Sequence, residues 1–487
     1  MGRVMYVPAL ALVMFATSAV AQAAITRPDG GKLTPAQIDS TVNRLIQGAH
    51  VTGAGVALFH RGKIVYLHAY GLRDTEKGLP LTPDSVMTAA SLNKSALATV
   101  VMRLVQRGTL DLNKPIEQYL GKPLGDFDRY ADLAGDPRTA RLTLRILLDH
   151  TTGFANFRGL EDDHKLHIHY EPGTHYGYSG EGINLAQFVL EKVTGKSATV
   201  LMLEELYAPL KMTRSSMVWE PRFESDFANR YDEYGRSLGP ERRDSPVAAG
   251  SMQTTPRDYA LFLSALMRGD VLSASMRDKM LSPQIRIRSA HQFPSLNTET
   301  TTVYHPIDLS YGIGWGLYNS PFGPAFFKEG HAEGWRHFAL CFRNGDGILV
   351  MTNSSNGEGI FKPLAEALLG ETGFPYDWDG YTPYDKLPPL PKLKEHKPVT
   401  LTTEQLNRVA GRYALNADIV LTVTVENGHL YIRENDEEKQ EYLAESPNDF
   451  YSATSTDECS FKPEFGRAQV LVLHLDDGPY PELKRVP

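Results

Sequence analysis

A serine followed three residues later by a lysine, Ser91-Leu92-Asn93-Lys94, is the arrangement in this 487-residue chain best suited to covalent chemistry. One helical turn puts such residues on the same face, about 5–6 Å apart at Cβ. A lysine held partly desolvated there, with its pKa lowered, can take the serine proton, while the helix N-terminus stabilises the negative charge that develops. No other serine in the sequence has a lysine three positions on. The plain alternative is an N-terminal serine with a solvated lysine, and the spacing alone does not exclude it.

Other candidates are weaker. His164, His167 and His169 beside Asp162 and Asp163 could ligate a metal, but the alternation His167-Ile168-His169-Tyr170 reads as an exposed strand. Gly195-Lys196-Ser197 ends like a phosphate-binding loop, yet Leu190 stands where the first glycine of that motif is required. Gly177-Tyr178-Ser179-Gly180-Glu181 approaches a nucleophile elbow with Ser179 as attacker, but has glutamate in place of the last glycine.

The elements that must position Ser91 can be read around it. Residues 56–70 read as two strands joined at Arg61-Gly62. Apolar side chains at 97, 100, 101, 104 and 105 follow helical spacing over 91–107, with Gly108 where a C-terminal cap belongs. Further helices are expected over 185–193, closed by Gly195, and over 198–206. Apolar runs at 337–342 and 348–352 bracket the turn Asn344-Gly345-Asp346-Gly347. The sheet is therefore expected to be built from both ends of this segment, with helices between. Prolines 388, 389, 391 and 398 mark a semi-rigid linker over 386–399. Beyond it, strands at 419–425, 430–433 and 470–475 with Asn427-Gly428 and Asp477-Gly478 turns predict a small β module over 400–487.

Composition narrows the class. Hydrophobic content of 42% and 22% charge describe a globular chain, which excludes disorder and coiled coil. A net charge of −8 from 50 basic and 58 acidic residues, with no long block of either sign, argues against nucleic-acid binding. Residues 1–23 read as a signal peptide: Arg3, an apolar stretch, then Ala21-Gln22-Ala23 before Ala24. The expected location is periplasmic or secreted, with residues 24–385 as the main domain and no stable membrane insertion. Cys341 and Cys459 fall in different predicted domains and are expected as two unlinked thiols.

Five motifs occur in order: Ala89-Ala90-Ser91-Leu92-Asn93-Lys94, residues 144–154 (Leu-Arg-Ile-Leu-Leu-Asp-His-Thr-Thr-Gly-Phe), Glu171-Pro172-Gly173 leading to Tyr178-Ser179-Gly180, Ala248-Ala249-Gly250-Ser251, and Tyr311-Gly312-Ile313-Gly314-Trp315. Together they resemble the serine β-lactamase-like hydrolases related to class C β-lactamases, family VIII carboxylesterases and D-aminopeptidases, over roughly 34–370. The resemblance implies an α/β (α+β) fold, an antiparallel sheet flanked by helices, followed by an all-β barrel-like domain. It implies Ser91 as acylated nucleophile, Lys94 as its proton partner and Tyr178 as second base, with the phenolate favoured by the nearby ammonium. Gly180 stands where the family has an asparagine, leaving Asn93 or Asn184 as substitutes for substrate-amide recognition. The family's third motif is expected at His331-Ala332-Glu333-Gly334, with a backbone N–H near Glu333 or Gly334 joining that of Ser91 as oxyanion donor. A neutral His331 and an anionic Glu333 there would disfavour substrates carrying a carboxylate. The implied function is hydrolysis of a small ester, amide or peptide without metal or cofactor. The alternatives are a β-lactamase or DD-carboxypeptidase, and a catalytically lapsed peptide- or peptidoglycan-binding protein.

Overall fold

The computed structural model describes residues 24–390, 394–415, 419–435, 439–453, 457–464, 466–474 and 481–487. The expected leader over 1–23 and the turn at 477–478 lie outside them. Among the described residues, nine strands form one antiparallel sheet: β1 Gly53–His60, β2 Lys63–Asp74, β3 Leu79–Pro80, β4 Ile285–Arg286, β5 Ser310–Tyr311, β6 Gly316–Ser320, β7 Gly323–Ala332, β8 Trp335–Phe342 and β9 Gly347–Thr352. Their spatial order is β3-β2-β1-β9-β8-β7-β6-β5-β4. The two ends of the segment do meet, since β1 pairs with β9 from Phe59↔Gly347 to Ala54↔Thr352. Arg61 and Gly62 have φ of 51° and 74°, the paired positive values that suit a two-residue hairpin turn.

Both faces of the sheet are covered, which is why its central strands read as unbroken apolar runs rather than alternating ones. Val56, Leu58, Phe338, Leu340, Ile348 and Val350 pack with helices α1 Pro35–Gly48 and, later in the chain, Phe361–Leu369. Their neighbours Ala57, Phe59, Ala339, Cys341, Leu349 and Met351 face the opposite layer, built on α2 Leu92–Gln106, α3 Gly180–Thr194 and α4 Pro256–Arg268. Capping follows the sequence: Gly108 and Gly195 take φ of 76° and 68° at the ends of α2 and α3, as their expected roles require. One expectation fails. Residues 165–169 belong to no strand; Leu166 and Ile168 anchor an extended loop while His167 and His169 face outward.

After residues 388–390 and 394–402, which carry neither helix nor strand, a short helix leads into a closed eight-stranded barrel. It starts at Gly411–Ala414 and closes where that strand pairs with Glu482–Val486. Asn427 and Gly428 have positive φ and make the predicted turn. Cys341 and Cys459 are both buried, free thiols.

Candidate active site

Ser91 sits at the mouth of the layer formed by α2. The two-residue strand Met87–Thr88 pairs with Gln253–Thr254, and the Ala89 N–H donates to the Met252 carbonyl at 2.7 Å, so the approach to the nucleophile is held from outside the main sheet. Ala90 then adopts φ 46°, a left-handed conformation costly for a residue with a Cβ, and Ser91 begins the helical turn at φ −68°. Lys94 is 1% exposed; its Nζ lies 2.8 Å from Ser91 Oγ and donates to the Ala249 carbonyl at 2.6 Å. Burial, followed by the charge of Lys328, pushes this amine well below the ordinary lysine value. A neutral amine offers its lone pair to the Ser91 proton, which a solvated ammonium cannot do.

Tyr178 precedes α3 and is buried, its hydroxyl accepting from Lys328 Nζ at 3.0 Å. Burial raises the phenol above its usual value and outweighs the lowering effect of Lys328, so the expected phenolate gives way to a neutral hydroxyl. The His150 ring lies 4.4 Å from the Tyr178 ring, and its Nδ1 accepts from the Ser179 N–H at 3.1 Å. Burial, then Lys328 and Lys94, keeps His150 neutral. Ser179 itself is a helix cap: its Oγ accepts from Gly182 N at 3.0 Å, donates to Ala155 O at 2.9 Å and is fully buried. That geometry disfavours the elbow reading.

A cavity of about 430 Å³ opens over Ser91 and Tyr178, lined among others by Asn156, Phe157, Phe293, Glu329 and His331. Asn93, Glu333 and Gly334 are not in its lining. Asn93 is fully buried and donates to the Val247 carbonyl at 3.3 Å, and Asn184 accepts from Ala249 N at 3.0 Å. The side-chain amide in the cavity is Asn156, whose Oδ1 accepts from Gly180 N at 2.9 Å. A Cβ at Gly180 would come within 2.6 Å of the Phe157 ring, so the 156–157 loop fills the space that a side chain at 180 would need.

Of the expected motif His331-Ala332-Glu333-Gly334, His331 and Ala332 lie on β7 and in the cavity lining, whereas Glu333 and Gly334 fall in the turn after the strand. Pairing of β6 with β7 ends at Phe327, which leaves 328–332 with one open edge. The strand runs close against the approach to the nucleophile: a Cβ on Gly330 would lie 2.8 Å from the Ala89 carbonyl oxygen. Of this strand, Glu329, His331 and Ala332 line the cavity over Ser91, while Lys328 reaches the Tyr178 hydroxyl and Gly330 packs against Ala89. Glu333 and Gly334 form the turn into β8. The Gly334 N–H donates to Ser355 Oγ at 3.0 Å and is not free to hold an oxyanion. Glu333 is 59% exposed and lies 3.7 Å from Arg230. His331 does line the cavity, neutral with its pKa pushed down to about 3 by burial, its Nε2 3.2 Å from the Tyr381 hydroxyl.

The histidines at 164–169 are satisfied separately: His167 by Asp163 at 3.0 Å, His169 by Glu161 at 2.7 Å and His164 by the Gly159 carbonyl at 3.1 Å. They form no metal-like group among the described residues.

Residues 38–372 match the family described as Beta-lactamase. The chain belongs to that family. Penicillin-binding protein 4* of Bacillus subtilis is 24% identical over 458 residues, covering 85% of this chain and 91% of that protein. The octameric penicillin-binding protein homologue from Pyrococcus abyssi superimposes with a TM-score of 0.58 at 20% identity, covering 92% of this chain and 99% of that one. The D-amino acid amidase from Ochrobactrum anthropi SV3 does so with 0.53 at 23% identity, covering 68% and 98%. At these identities the structural likeness speaks for the fold. The Beta-lactamase match ends before the barrel, whereas the Pyrococcus structure is similar across both parts of the chain.

Proposed function

We propose that this protein is a serine hydrolase that cleaves small esters or amides through an acyl-enzyme on Ser91. The observation that carries the reading is the 2.8 Å contact between Ser91 Oγ and Lys94 Nζ, an amine buried away from water. Lys94 takes the hydroxyl proton as Ser91 Oγ bonds to the substrate carbonyl carbon. The tetrahedral adduct collapses, the C–O or C–N bond breaks, and the leaving oxygen or nitrogen takes a proton from Tyr178. Tyr178 recovers that proton from Lys94. Water then attacks the acyl carbon, giving a proton back through the same pair, and Ser91 leaves as a hydroxyl. In this reading the Ser91 N–H and a backbone donor of β7 hold the oxyanion. Lys328 fixes the Tyr178 hydroxyl by a bond of 3.0 Å and disfavours any added positive charge nearby. Asn156, Phe157 and Phe293 shape the substrate cavity.

No helix among the described residues is long and apolar enough to cross a membrane. Export to the periplasm or medium remains part of the proposal, resting on the character of residues 1–23. Turnover of short-chain p-nitrophenyl esters and D-amino-acid amides by variants tests the whole reading. Ser91→Ala should abolish hydrolysis with the fold intact, and Ser179→Ala should retain substantial activity; the reverse pattern would make Ser179 the nucleophile.

A further inference from the structure

The cationic side chains Arg243, Lys94 and Lys328, on or near the cavity wall, are each already engaged. Arg243 is ion-paired to Glu241 at 2.6 Å. Lys94 is turned to Ser91 and the Ala249 carbonyl. Lys328 is wholly buried, and its Nζ is shared between the Tyr178 hydroxyl at 3.0 Å and Glu329 Oε1 at 2.6 Å. Gln292 Nε2 clamps the same Glu329 oxygen at 2.9 Å. Glu329 reaches the cavity wall and Lys328 does not. Of this ion pair it is thus Glu329, and not the Lys328 ammonium, that a substrate meets on β7, beside the neutral His331. Burial opposes both charges, but their mutual attraction prevails, holding Lys328 above and Glu329 below their ordinary values.

We propose that Glu329 sets the substrate class: it occupies the Lys328 ammonium and confines the site to acyl substrates that carry no carboxylate beside the scissile bond. A substrate anion would have to displace a covalently tethered, amide-clamped carboxylate from Lys328 or lie against it. Neutral substrates, or ones bearing an amine on that side, meet no such opposition. The inference rests on Ser91 acting as nucleophile.

The test uses reversible boronic acids, which form a tetrahedral adduct on a reactive serine oxygen, with the full-length protein. For the wild type, 3-carboxyphenylboronic acid should inhibit at least tenfold more weakly than phenylboronic acid. In Glu329→Gln that ratio should shrink at least tenfold, whereas Glu329→Asp, which keeps the charge, should stay closer to the wild type. The wild-type comparison stands even if Glu329→Gln does not fold. Equal or tighter inhibition by the carboxylated compound would overturn the proposal while leaving the serine reading intact. Failure of both compounds, together with no covalent label on Ser91, would overturn both.

Discussion

Lys328 and Glu329 form an ion pair with side chains 0% and 5% exposed, and the consequence for stability can be worked out. Removing one partner of a buried pair leaves an uncompensated charge and costs about 3–5 kcal/mol, whereas replacing both is often close to neutral. Glu329→Gln keeps an amide oxygen that can still accept from Lys328, and the Tyr178 hydroxyl remains a second acceptor, so the low end of that range, about 3 kcal/mol, is expected. Lys328→Met with Glu329→Gln removes both charges and should recover all but about 1 kcal/mol. Urea unfolding followed by tryptophan fluorescence isolates the effect, because the four tryptophans, at 219, 315, 335 and 378, all precede the barrel. An unchanged slope with urea shows that midpoint shifts report stability alone. The reasoning is refuted if Glu329→Gln lies within about 1 kcal/mol of wild type, or if the double variant is no more stable than the single.

Two further expectations follow from the same region. Gly330→Ala forces a Cβ to within 2.8 Å of the Ala89 carbonyl and must shift the strand or the nucleophile; kcat should fall on the order of 100-fold with the circular dichroism spectrum unchanged, and a loss under threefold would contradict the close packing. His337, whose ring bridges the Thr88 carbonyl at 2.8 Å and the Thr352 N–H at 3.3 Å, is held neutral by burial with its pKa down to about 4. It gains its proton on unfolding, so its contribution is present above pH 6.5 and about 3 kcal/mol is lost as the pH falls toward 4. Asp149, raised by burial to about 7, gives the opposite slope between its ordinary 3.8 and 7, so the comparison must be with a variant. The unfolding free energy at pH 7 minus that at pH 5, taken with its sign, should be lower in His337→Gln than in wild type by about 2 kcal/mol; an identical signed difference would mean that the ring is solvated or charged.

The parts of this site that were legible in the sequence are local ones. The Ser91–Lys94 spacing, the hairpin at Arg61-Gly62, the caps at Gly108 and Gly195 and the strands at 337–342 and 348–352 each depend on residues within a few positions of one another. Lys328 and Glu329 escaped because their meaning is long-range. It depends on where β6 stops pairing with β7 and on which residue of that strand meets Ala89, and neither is encoded in the strand's own pattern. The signal that could have found them was present: two charges embedded in Phe326-Phe327-Lys328-Glu329-Gly330, a run otherwise fit for a fully buried strand. Glu333 lies outside the site because β7 ends at Ala332 and Glu333-Gly334 make a turn, with Gly334 at φ 71°. Asn156 escaped for another reason. It comes from a loop, and its role depends on the missing side chain at Gly180, a compensation between two segments 24 residues apart.

The claim on which the rest depends is that Ser91 is a reactive serine activated by Lys94. Incubating the full-length protein with a fluorophosphonate and mapping the adduct by peptide mass spectrometry tests it most directly. A single adduct on Ser91, absent in Ser91→Ala and formed far more slowly in Lys94→Met, is the predicted result. An adduct on Ser179, or none on a folded protein, would contradict it.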